Sequence, residues 1–167
     1  MWSELPGHVR RFFRGFAWAL APAEVAHARR LLTPAELLLF AGLQGRERRH
    51  AMDMLHWLRA RAAPSDELLA AALVHNVGKG PIHLQERVGY VLLDLLAPRL
   101  LERLASPSGG RFARSLAAQR DHARRGAALL ARAGSSPRVR ALVAAHHDPS
   151  PGDDRELAWL IAADRVC

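Results

Sequence analysis

At four places the chain spells the beginning of an α-helix. Thr33-Pro34-Ala35-Glu36 joins an N-cap hydroxyl, a proline at the first helical position and a glutamate placed to complete a capping box. Pro64-Ser65-Asp66-Glu67 offers Ser65 as cap with acids in the first turn. Ser136-Pro137 repeats the signal, and so does Asp153 with Glu156 three residues later. Between these starts apolar residues recur at helical spacing, and no segment alternates as a half-buried strand would. The pattern predicts an all-α chain: a single compact multi-helix domain of about seven or eight short helices.

The expected elements follow from the same punctuation. A helix over 23–32 precedes the one opened by Thr33, which Gly42 and Gly45 should end. A helix over about 46–62 places His50, Met54, Trp57 and Leu58 on one face. The next runs from Leu68 to about Val77 and stops at Gly78, Gly80 and Pro81. The apolar pattern Val88, Val91, Leu92, Leu95, Leu96 makes 84–104 helical, with Pro98 as a kink or break. After the loop Ser106-Pro107-Ser108-Gly109-Gly110 come a helix over about 112–133, another over 139–147, and a final one capped by Asp153. Residues 1–32 read as an N-terminal helical extension packed on a domain of residues 33–167. Its basic, aromatic stretch from Val9 to Trp18 is expected to dock on the domain, with a membrane surface as the alternative.

Length and composition bound the rest. A chain of 167 residues, half of them hydrophobic and 24% charged, buries a core without staples. Cys167 is the only cysteine, so no intramolecular disulfide can form. No apolar run reaches the roughly 18–20 residues of a membrane span, and arginines interrupt the N-terminal apolar residues where a signal peptide would need them continuous. A cytoplasmic location is the expectation. The net charge of +8 points to phosphates or anionic surfaces in general. All but one of the 24 basic residues are arginine, however, a bias of composition. A nucleic-acid partner therefore rests on composition alone. The exception, Lys79, lies four residues after His75.

Four helices carry a polar residue that continues the apolar stripe. His75 and Asn76 follow Leu68, Leu69 and Ala72; His146 follows Val139, Leu142 and Val143; Asp164 follows Leu157, Leu160 and Ile161; His50 shares a face with Met54 and Trp57. A single inward histidine is usually a core residue with one hydrogen bond. Several of them together with an inward carboxylate, which is costly when unpaired, make a divalent-metal site the better reading. Asp164 falls in a terminal helical turn, which frays unless Leu157, Leu160 and Ile161 hold it down.

The order His50, then His75-Asn76-Val77-Gly78-Lys79, then His122, then His146-His147, then Asp164 resembles the HD superfamily of metal-dependent phosphohydrolases. The resemblance covers about residues 33–167, and Ala72-Leu73-Val74-His75-Asn76-Val77-Gly78-Lys79 is its most specific part. It implies an HD-like helical domain holding a divalent metal such as iron or manganese, with neither identity nor number given. His50, His75 and Asp164 match its metal ligands; His122, His146 and His147 match the extra ligands of two-metal members. Lys79 matches a lysine that can contact a substrate phosphate, and His122 or one of the histidine pair could instead relay protons.

Asn76 stands where that family has aspartate. It offers one carbonyl oxygen and an NH2 that cannot ligate, so the site lacks one negative charge and should hold at best one metal tightly. On the resemblance alone, Asn76→Asp would raise turnover. The implied function is hydrolysis of a nucleotide or other small phosphoester, weakened by Asn76. The alternative is a degenerate HD-fold binding or regulatory module that is not an enzyme.

Overall fold

The computed structural model describes residues 19–61, 63–148 and 150–167. The expected N-terminal aromatic stretch from Val9 to Trp18 lies outside them. Ten helices form the described chain: α1 Pro22–Leu31, α2 Pro34–Ala41, α3 Gly45–Arg61, α4 Asp66–Val74, α5 Leu84–Leu96, α6 Pro98–Leu104, α7 Arg111–Arg120, α8 His122–Arg132, α9 Pro137–Ala145 and α10 Arg155–Val166. No strand occurs among the described residues, as the absence of alternation predicted. No described helix is long and apolar enough to cross a membrane.

Three of the four cap signals act as read. Thr33 Oγ1 accepts from the Glu36 N–H while the Glu36 carboxylate accepts from the Thr33 N–H at 2.9 Å. Ser65 and Ser136 cap α4 and α9 through their hydroxyls. Three boundaries differ. The cap of α10 is Asp154, not Asp153, and its carboxylate accepts from the Leu157 N–H. Helix α4 ends at Val74 rather than Val77. The stretch expected as one helix over 112–133 breaks at Asp121, where no glycine or proline announced it.

Helix α4 is the hub. Leu68 through Val74 are all buried, the mark of a helix surrounded on every side. It packs against α1, α2, α3, α9 and α10. Each fully buried leucine there contributes roughly 1.5–3 kcal/mol of hydrophobic stabilisation. The rest of the main core comes from Met52, Met54, Leu55 and Leu58 of α3, Leu130 of α8, Leu142 and Val143 of α9, and Leu157 and Leu160 of α10. A smaller cluster of Leu101, Ala105, Leu116 and Ala117 joins α6 to α7. The apolar stripe of α5 turns outward: Leu95 and Leu96 are 75% and 73% exposed.

Candidate metal centre

Because α4 stops at Val74, His75 occupies its C-cap position. The ring is fully buried, and its Nδ1 lies 2.9 Å from the Ala72 carbonyl in the last turn. The last carbonyls of a helix have no intrahelical donor. Donation from Nδ1–H satisfies one and leaves Nε2 as a free lone pair. The same arrangement recurs twice. His122 Nδ1 donates to the Gln119 carbonyl at the end of α7, and His146 Nδ1 to the Val143 carbonyl at the end of α9, both at 2.7 Å. The break at Asp121 is what allows His122 to use a terminal carbonyl.

These rings meet other candidates in two groups. His50 of α3, His75 and Asp164 of α10 offer ligand atoms all within 4.8 Å of one another. Asp164 Oδ1 lies 2.9 Å from His50 Nε2 and 3.5 Å from His75 Nε2. His122, His146 and His147 form the second group within the same limit. There the Nε2 of His122 is 3.1 Å from that of His146 and 3.2 Å from that of His147. The groups adjoin, with the His75 and His146 ring centroids 5.2 Å apart. Every candidate named from the sequence is therefore in one place, including Asn76 and Lys79, which follow His75 in the turn over 75–78 and just beyond it.

Burial, with the nearby charge of Lys79, pushes His122 down to about 3. Burial, with His75 beside it, pushes His146 to about 2. Both rings are neutral near neutral pH and donate from Nδ1, so their Nε2 atoms face each other as two acceptors. His75 Nε2 and Asn76 Oδ1 are buried without a hydrogen-bond partner. Unpaired buried acceptors cost roughly 1–3 kcal/mol each, and a cation among them removes that cost. Burial opposes ionisation of Asp164, but His50 and His75 beside it hold its carboxyl far below the usual range. Neutral imidazoles and one carboxylate are a donor set suited to a borderline divalent ion. The residues fit such an ion.

The helix carrying Asp164 does not depend on its own last turn. Leu157, Leu160, Ile161 and Ala163 are buried. At its start the Arg138 guanidinium grips Asp154 through two hydrogen bonds of 2.6 and 2.8 Å and also reaches Glu156. Glu156 in turn accepts from the Ser65 N–H at the start of α4. Glu156 therefore ties α10 to α4 instead of completing a capping box.

Glu47 was not foreseen from the sequence, nor were Arg46 and Arg87 beside the same cavity. Glu47 sits in the first turn of α3, within a run of arginines that reads as a solvated face, yet it is 4% exposed. Its carboxylate accepts from Asn76 Nδ2 at 2.8 Å and from Arg87, and lies 3.7 Å from Lys79 Nζ. Burial opposes its ionisation, but Lys79 and Arg87 pull it down to about 2. Beside these groups a cavity of about 340 Å³ opens, lined by Arg46, His50, Asn76, Lys79, Arg87 and Asp164 among others.

A family model described as HD domain matches residues 48–167. The chain belongs to the HD domain family. The match takes in both histidine groups and Asp164, and it begins one residue after Glu47. No curated protein and no solved structure matched the chain. The HD domain assignment agrees with the all-α architecture and with the order in which the inward polar residues occur.

Proposed function

We propose that this HD domain protein is a metal-dependent phosphohydrolase of the cytoplasm, acting on a nucleotide or other small phosphoester. The observation that carries the reading is the convergence of a His–His–Asp group and a three-histidine group, with His75 Nε2 and Asn76 Oδ1 buried and unpaired, beside a cavity to which Arg46, Arg87 and Lys79 contribute. His50, His75 and Asp164 hold one ion, and His122, His146 and His147 a weaker second. A bound divalent ion supplies a Lewis acid and a water acidified toward neutrality.

The chain's own residues do the remaining work. Arg46 forms no ion pair among the described residues, and it faces the cavity with its charge intact. With Lys79 it receives the phosphoryl oxygens and stabilises charge developing on them. His147 is the exposed member of its group and exchanges a proton with solvent most readily. Lys79 also borders a cleft of about 490 Å³ on its other side, where Arg111, Arg114 and Arg125 stand. That cleft leaves room for a substrate with more than the scissile phosphate.

Elemental analysis after growth with iron and manganese, followed by assay on a chromogenic phosphodiester, tests the reading. Metal well above trace, with hydrolysis abolished by His75→Ala, supports it. Protein that retains only trace metal would sink it. The alternative, a binding or regulatory module, is favoured by the neutral Asn76, and bound metal without turnover of any phosphoester would support that instead.

A further inference from the structure

Building on the metal-site reading above, we infer that Glu47 is a positioning residue. It fixes the amide of Asn76 so that Oδ1 is offered to the ion, and it supplies from one shell further out the negative charge that Asn76 lacks. An asparagine amide can be placed either way round, and only its surroundings choose. Here the choice is forced, because Glu47 Oε2 is 2.8 Å from the Asn76 amide and an ionised carboxylate can only accept. The NH2 must point at Glu47, and Oδ1 must point away from it.

Asn76 is 2% exposed, and that Oδ1 has no hydrogen-bond partner. The Nε2 of His75, the preceding residue, is likewise buried without a hydrogen-bond partner. Asn76 lines the same cavity as His50 and Asp164. A buried carbonyl oxygen held in one orientation beside a cavity that His50 and Asp164 also line is a ligand ready for a cation. A freely rotating amide would present its NH2 to the ion half of the time. Lys79 and Arg87 keep the Glu47 carboxylate in place and ionised.

The inference reverses the expectation drawn from the family pattern. Asn76→Asp alone would set two carboxylates at hydrogen-bond distance with no proton between them. The aspartate becomes tolerable only when Glu47 is made neutral, as in Asn76→Asp with Glu47→Gln.

The test is a cycle of four proteins: the native chain, Glu47→Gln, Asn76→Asp and the double variant. Each is stripped of metal and melted, and each is titrated with Mn2+ by calorimetry. The melting midpoint of Asn76→Asp should fall, and the second substitution should restore most of the loss. Glu47→Gln should weaken Mn2+ binding about tenfold or more, as loss of a hydrogen bond to a charged group does. The double variant should bind Mn2+ at least as tightly as the native chain.

Additive losses in the metal-free melts, with Mn2+ affinity unchanged in Glu47→Gln, would overturn the inference and leave the metal site intact. A purely structural Glu47 would lower the midpoint without moving the affinity of the folded protein. A native chain that binds no Mn2+ would overturn the metal-site reading together with the ligand role of Asn76. A coupled melt cycle would then show a hydrogen bond alone.

Discussion

The backbone of Gly78 runs so close to the carbonyl of His122 that a Cβ on Gly78 would lie 2.0 Å from that oxygen. The same Cβ would be 2.5 Å from the Gly126 nitrogen, and a Cβ on Gly126 would press on Val143. Both neighbours of Gly78 are main chain, so neither can swing aside. This contact sets the turn carrying His75 and Asn76 against the start of α8, and so joins the two histidine groups. Gly78→Ala should cost roughly 1–3 kcal/mol or more. For a chain of this size that lowers the melting midpoint by roughly 2–4 °C per kcal/mol. Thermal melts check the loss, and metal titration should show that the second group no longer meets the first.

Charge separates the two groups. The first contains the Asp164 carboxylate, while the second has three imidazoles and no formal charge. A dication should therefore bind more tightly to the first. His75→Ala should remove the tighter ion, and His147→Ala should remove only the weaker one. Elemental analysis after gel filtration in a weak chelator distinguishes the two outcomes; equal loss from both variants would show that the groups act as one site.

Acid should destabilise the metal-free protein well before its carboxylates protonate. His122 and His146 are held neutral by burial, at about 3 and about 2, whereas in the unfolded chain they take up protons near 6.5. Below that value the unfolded state binds more protons, so stability falls as pH falls and is flat above it. Each histidine contributes a slope of up to about 1.4 kcal/mol per pH unit. Urea unfolding of the metal-free protein at pH 7, 6 and 5 should show this decline, and His146→Gln should make it shallower.

Arg138 is expected to act at a lower pH. Its hydrogen bonds hold Asp154 at about 2, below the usual aspartate value. The stability this gives is present above about 4 and is lost as pH falls toward 2. Arg138→Ala should flatten acid unfolding across that window. It should also weaken Mn2+ binding modestly at neutral pH, because α10 carries Asp164. Circular dichroism during acid titration measures the first effect and calorimetry the second.

Much of the architecture was legible in residues that act on their own neighbours. Thr33 with Glu36, Ser65 and Ser136 cap the helices they were expected to cap, because those bonds span three residues. The inward course of His50, His75, His146 and Asp164 followed from the stripes they continue. Glu47 was not legible, since its partners are 29 and 40 residues away on other elements. The break at Asp121 was hidden for a similar reason: nothing local stops the helix there. The exposed stripe of α5 shows the converse, a helical pattern that reads the same whether or not another element covers it. Gly126 lies inside a helix, and only the packed structure gives it a task, the close approach of Gly78.

The hydrogen bonds from His75, His122 and His146 to carbonyls three residues earlier have an evolutionary consequence. In each case the acceptor is main chain, so truncating a neighbouring side chain does not remove it. The protonation pattern of these rings is inherited with the helix ends themselves. Surrounding positions are left free to change while each of the three nitrogens keeps facing its own group.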